Sequence, residues 1–150
     1  MKYLFSFAVG IVALVGWSAG AWPSRSATTA TVVDVVEHAD TDAVSNGTKA
    51  DSLGNVLTFA NPVYNAADTK KVGTDNGFCV RTVKGKTWEC MWTMFLSGGQ
   101  ITVEGPFSDS GNTKLAITGG TGSYANARGW MALNYHNKAG TKLDFIFHLS

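Results

Sequence analysis

Gly77-Phe78-Cys79-Val80-Arg81-Thr82-Val83-Lys84-Gly85-Lys86-Thr87-Trp88-Glu89-Cys90-Met91-Trp92-Thr93-Met94-Phe95-Leu96 holds two β-branched and aromatic runs on either side of a Lys-Gly pair. That is the pattern of a β-hairpin. With Lys84-Gly85 as a two-residue turn, Val83 faces Lys86, Arg81 faces Trp88, and Cys79 faces Cys90. Opposed residues on antiparallel strands lie about 5 Å apart, within reach of a disulfide, and closing so short a loop contributes roughly 2–3 kcal/mol. This register sets the cysteines at a hydrogen-bonded pair, where side chains stand farther apart, and a one-residue slip would leave two free thiols.

The same alternation of short apolar runs with Gly, Asn and Asp clusters extends both ways, and nothing after the first residues shows a sustained helical period with caps. Strands are expected near Ala30–Glu37, Val56–Val63, Gly77–Val83, Thr87–Leu96, Gln100–Phe107, Lys114–Thr118, Arg128–His136 and Leu143–His148. Met91–Leu96 and Leu143–Phe147 carry apolar residues on both faces, which favours a closed antiparallel barrel over an open sheet and leaves a β-sandwich as the alternative. The polar stretch from His38 to Asn55 lacks a usable period and is expected to be a long mobile loop, with order resuming at Leu53-Gly54-Asn55.

At the N-terminus, Lys2, an apolar run from Tyr3 to Trp17, and the small residues Ala19-Gly20-Ala21 read as a secretory signal covering residues 1–21. The run is shorter than the roughly 20 residues a bilayer-spanning helix needs, so no membrane association is expected once the signal is removed. Residues 22–150 then form one domain of the exported chain, extracellular, or periplasmic or in the cell wall of a bacterium. An oxidising destination suits a Cys79–Cys90 bridge. Asn46-Gly47-Thr48 is a glycosylation sequon whose use depends on the host.

Charged residues make up 15% of the chain and the net charge is +1. With about 25% usual, no basic stripe exists for phosphates, and nucleic acid is excluded as a partner. His38, His136 and His148 are too dispersed for a metal site. The glycines at 119, 120 and 122 lead into neither a nucleophile elbow nor a phosphate loop. They suit a tight corner between strands, because glycine tolerates positive φ.

Gly105-Pro106-Phe107, Leu115-Ala116-Ile117-Thr118-Gly119-Gly120-Thr121-Gly122-Ser123-Tyr124 and Ala127-Arg128-Gly129 closely resemble the allene oxide cyclase and dirigent protein family. Ser52-Leu53-Gly54, Phe59-Ala60-Asn61, Tyr64 and Gly77-Phe78-Cys79-Val80 fit the cyclase branch in order and spacing. The resemblance implies an eight-stranded antiparallel barrel with an apolar cavity, compatible with a homotrimer. It also implies a cofactor-independent role: steering a small hydrophobic or phenolic molecule through stereoselective cyclisation, as an intramolecular isomerase does, or through coupling. The barrel would act by restricting conformations before reaction.

Carried over residue by residue, the resemblance places the cyclase acid that stabilises positive charge on Asp34, one methylene shorter. From the residues alone Asp34 reads equally as a surface acid at a strand edge. Asn61 matches an asparagine that holds the substrate's oxygen, and otherwise reads as a turn residue before Pro62. Cys79 matches a pocket-shaping cysteine, Phe107 stands where the cyclases carry tyrosine, and Arg128 fits a cavity-facing dirigent arginine or a solvated strand-start residue. Val36 and Asp42-Ala43 depart from the cyclase pattern of a second asparagine and a Ser-Pro pair, so the water-holding cluster looks depleted. The alternatives are a non-catalytic extracellular protein that binds a hydrophobic ligand, and an interaction protein acting through the His38–Asn55 loop.

Overall fold

The structure, a computed structural model, describes residues 31–45 and 51–150. The signal segment and Asn46 lie outside the described residues. The strands are β1 (Thr31–His38), β2 (Ala43–Ser45), β3 (Val56–Phe59), β4 (Pro62–Asn65), β5 (Lys71–Val83), β6 (Thr87–Leu96), β7 (Gly99–Ser108), β8 (Thr113–Gly120), β9 (Gly129–Tyr135) and β10 (Lys142–Leu149).

Every pairing is antiparallel, and β5 meets both β4 and β6, which closes the ring β5-β4-β1-β10-β9-β8-β7-β6. The expected eight-stranded barrel is therefore present. Ten strands make eight staves because two staves are interrupted. β3 and β4 pair in series along β5, while β1 pairs with β4 and β2 with β3. The breaks, at residues 39–42 and 60–61, lie side by side.

The interior face follows the period of two. On β5 the buried residues are Asp75, Cys79 and Arg81; on β6 they are Trp88, Cys90, Trp92 and Met94; on β10 they are Leu143, Phe145, Phe147 and Leu149. Residues between them face outward. The alternation on β10 is complete, although Leu143–Phe147 reads as apolar on both faces in sequence. Each fully buried Phe, Leu or Met contributes about 1.5–3 kcal/mol over its exposed state.

Cys79 pairs with Cys90 in the expected register, and the two form a disulfide. The turn differs from expectation. Lys86 N–H bonds the carbonyl of Val83, Gly85 takes φ +65°, and Val83 lies opposite Thr87, so one extra residue sits beside the turn. That bulge changes the hydrogen-bond phase while preserving the pairs. The Asp75 and Arg81 N–H groups bond Asn61 and Asn55 on the β3–β4 side, so odd-numbered residues of β5 form non-hydrogen-bonded pairs with β6. Cys79 and Cys90 occupy one such close pair, with Cα atoms 4.0 Å apart. The bulge thus removes the geometric objection to the bridge.

Besides the expected strand Val56–Val63, which the break at residues 60–61 splits into β3 and β4, three other elements differ from the sequence expectation. The expected loop from His38 to Asn55 contains β2, a strand too short for local periodicity to reveal because its pairing with β3 is non-local. β5 starts at Lys71 rather than Gly77, since its polar and Gly-containing first half is paired on both sides. β8 continues through Gly119-Gly120 and turns only at Thr121. A Cβ on Gly120 would lie 2.4 Å from the Tyr124 carbonyl oxygen, so the close approach of backbone requires glycine there.

Candidate active site

The side-by-side breaks carry the interior's densest group of polar side chains. Asn61 has no exposed surface. Its Oδ1 accepts from the N–H and Oγ1 of Thr41, both at 2.9 Å, and its Nδ2 donates to Glu37 Oε1 and Asp42 Oδ1, both at 2.8 Å. The amide therefore fills its complete set of donors and acceptors. The Ala60 N–H donates to Thr41 Oγ1 at 2.8 Å, so side chains replace the missing ladder where both staves are interrupted.

Asn61 and Asp75 exchange backbone hydrogen bonds, both 3.0 Å, which brings the Asp75 carboxyl to the Asn61 N–H at 3.2 Å. Glu37 is 3% exposed and Asp75 is not exposed, and the two buried carboxyls stand close enough for each to act on the other's ionisation. Buried side by side, both carboxyls favour the protonated form. Burial raises Glu37 well above the ordinary carboxyl range, and the neighbouring negative charge of Asp75 raises it further. Burial likewise pushes Asp75 up to about 7. Two buried acids without a cation among their described hydrogen-bond partners resist ionisation because neither is solvated as an anion.

Glu37 and Asp42 line a cavity whose remaining wall is apolar: Leu57, Phe59, Trp92, Phe107, Leu133, Leu143 and Phe145. Its volume is about 30 Å³, the space of one or two waters. Leu57, Phe59 and Phe107 are the half-buried side chains of this wall. Gly77 gives the wall its shape: a Cβ there would come within 2.2 Å of Trp92 Cβ and 2.8 Å of the Phe59 ring.

A family model described as allene oxide cyclase matches residues 27–150. The chain belongs to the allene oxide cyclase family. Among solved structures, a pyocyanin demethylase shares 24% identity and a TM-score of 0.65, covering 78% of this chain and 100% of its own. The pterocarpan synthase dirigent protein PsPTS1 shares 18% identity and a TM-score of 0.68, over 81% of this chain and 97% of its own. AbnU, an exo-specific intermolecular Diels-Alderase, shares 13% identity and a TM-score of 0.63, over 81% and 98%. At such identities these likenesses carry the fold alone.

Within this family barrel the residues singled out from the sequence do not all converge. Asn61 stands at the centre of the polar cluster, and Phe107 lines the cavity. Cys79 is in the core as a disulfide, with no thiol to offer. Asp34 is exposed on the outer face of β1, where partial burial and the nearby Asp144 raise its pKa. The inward carboxyl of β1 is Glu37, on the opposite face. Arg128 is also exposed, just before β9, with its Nη1 donating 2.7 Å back to the Ala127 carbonyl. It is not part of the cavity lining.

Sequence reasoning passed over Glu37, Asp42, Asp75 and Trp92. The signal for Glu37 was its parity with Val33 and Val35, which puts a carboxyl in line with an apolar strand face. For Asp75 it was parity with Gly77 and Cys79. Asp42, which counted as a departure from the family pattern, supplies an acceptor to Asn61 at the cavity. Among the described residues, no group of three or more His, Cys, Asp or Glu is arranged to hold a metal ion.

Proposed function

We propose that this barrel binds a small apolar molecule and steers its stereoselective cyclisation or coupling, with the Glu37–Asp75 pair as the proton-bearing group. The observation supporting it is the buried Glu37 carboxyl, bonded by Asn61 and next to the buried Asp75, on the wall of an otherwise apolar cavity. A carboxyl that stays protonated near neutral pH serves as a general acid to a developing oxyanion. Its conjugate carboxylate, poorly solvated, stabilises a delocalised cation instead. Both roles leave the carbon skeleton to rearrange within walls that restrict its conformers. No cofactor is invoked.

Asn61 is a positioning residue: its two N–H bonds to Glu37 and Asp42 fix where the acidic groups stand. The chain's family makes fatty-acid allene oxide the first substrate to try, and phenolic radical or quinone methide intermediates the second. The test is chiral analysis of the product formed with mature protein, its Glu37→Gln variant, and no protein. An enantiomeric excess with the wild type that disappears in Glu37→Gln is expected. Racemic product from both substrate classes would remove the steering role.

A further inference from the structure

Trp92 carries an unused donor. Its side chain is 3% exposed and forms part of the cavity wall, yet its Nε1–H is buried without a hydrogen-bond partner. Leaving such a group unpaired is unfavourable, and tryptophan N–H groups ordinarily find a partner when buried. Among the described residues the other buried indole shows the contrast: Trp88 Nε1 donates to Asp109 Oδ1 at 3.0 Å.

The Trp92 ring is also held in place. Gly77 leaves no room for a Cβ at its back, Phe59 meets it edge-on at 5.9 Å, and Phe145 lies 5.4 Å away. A donor whose ring is fixed before any guest arrives costs little to orient. The cavity's other polar groups are carboxyls: Glu37 and Asp42 line it, and Asp75 stands behind Glu37. An anionic guest would meet like charge in a poorly solvated space. The complementary guest has an oxygen acceptor and no charge.

We infer that the cavity selects an uncharged carbonyl compound, of the enone, aryl ketone or quinone class, whose oxygen accepts from Trp92 Nε1–H. This rests on the apolar-ligand reading above and narrows it. Trp92 is thereby a specificity-determining residue that discriminates a ketone from the hydrocarbon of the same shape. A ligand with a carboxylate tail keeps that tail outside the cavity.

Three matched probes test it with ¹⁵N-labelled mature protein: 1-indanone, indane and indane-1-carboxylate. The Trp92 indole cross-peak, assigned by its absence in Trp92→Phe, is expected to move downfield with indanone and not with indane. Indanone should bind more tightly than the other two, and Trp92→Phe should weaken it about five- to tenfold more than it weakens indane, the value of one hydrogen bond. Equal binding of indanone and indane with an unmoved indole would overturn the carbonyl selection while sparing the apolar cavity. That comparison uses the wild type alone and does not depend on the variant's fold. If none of the probes binds, the apolar-ligand reading falls, and the carbonyl selection falls with it.

Discussion

The barrel interior holds two polar clusters on one strand, and they differ in whether a cation is present. At one end of β5's inner face Arg81 places Nη1 2.6 Å from Asp109 Oδ2 and Nε 2.7 Å from Asp51 Oδ1, with its guanidinium 3.8 Å over the Trp88 ring. At the other, Asp75 meets Glu37 with no cation among their hydrogen-bond partners. Glu37, Asp75 and Arg81 are buried, whereas the Arg81 partners Asp51 and Asp109 are about a third exposed. Opposite charges satisfy one another and leave nothing for a guest, whereas like charges hold a proton at a pH where an ordinary carboxyl has lost it. The first arrangement ties residue 51 and the end of β7 to the barrel, and the second supplies chemistry.

Removing charge should therefore matter much more at one end than at the other. Arg81→Met leaves the Asp51 and Asp109 carboxylates without their cation, at an expected cost of about 2–4 kcal/mol, below that of a fully buried pair because both carboxylates are partly solvated. Glu37→Gln removes an acid that is unfavourable to ionise where it stands, and should leave stability within about 1 kcal/mol of the wild type at pH 7. Urea unfolding midpoints of the two variants check the contrast. Comparable losses in both would show that the acid cluster is as structural as the Arg81 cluster.

The disulfide lies between these clusters, since β5 presents Asp75, Gly77, Cys79 and Arg81 in turn to the interior. Replacing both cysteines with serine should cost roughly 2–3 kcal/mol, through the unfolded chain's regained freedom, and should leave the two ends otherwise intact. Urea unfolding of the double variant and of the reduced wild type measures it. If stereoselectivity vanished while the fold persisted, the bridge would be part of the site's geometry and not only a staple.

The comparison also explains what was legible in the sequence. Strand periodicity, the Lys84-Gly85 turn and the spaced family blocks are local signals, and they gave the barrel, the Cys79–Cys90 pairing and Asn61. The acid pair is non-local: Glu37 and Asp75 are on strands that never pair with each other, joined only through β4 and the break at Asn61. Gap-free matching to the family placed the acid on Asp34, but Asp34 and Glu37 differ in parity, so they occupy opposite faces of β1. A period of two, applied to charged residues as strictly as to apolar ones, separates them. β2 and the first half of β5 escaped for the same reason as the acid pair, since long-range pairing holds them as strands without any local apolar pattern.

The effect spread over the widest range of conditions is the most specific to the uncompensated cluster. The folded Glu37–Asp75 pair keeps a proton that the unfolded carboxyls release near pH 4, so the folded state binds more protons from there to about 7, where Asp75 titrates, and further up for Glu37. Stability from this pair is therefore present at low pH and lost as pH rises, by at most about 1.4 kcal/mol per pH unit for one proton. Asp68 has the opposite sign. Its hydrogen bonds to Lys142 and His38 lower its pKa, so its contribution is present above pH 4 and lost as pH falls below that. Urea unfolding between pH 4.5 and 8 is thus expected to slope downward in the wild type. Glu37→Gln/Asp75→Asn, which keeps both shapes and removes both titrations, should flatten the slope, while the Asp68 contribution below pH 4 persists. A slope that survives in the double variant would move the titrating proton elsewhere in the barrel, and with it the case for this pair as the acid.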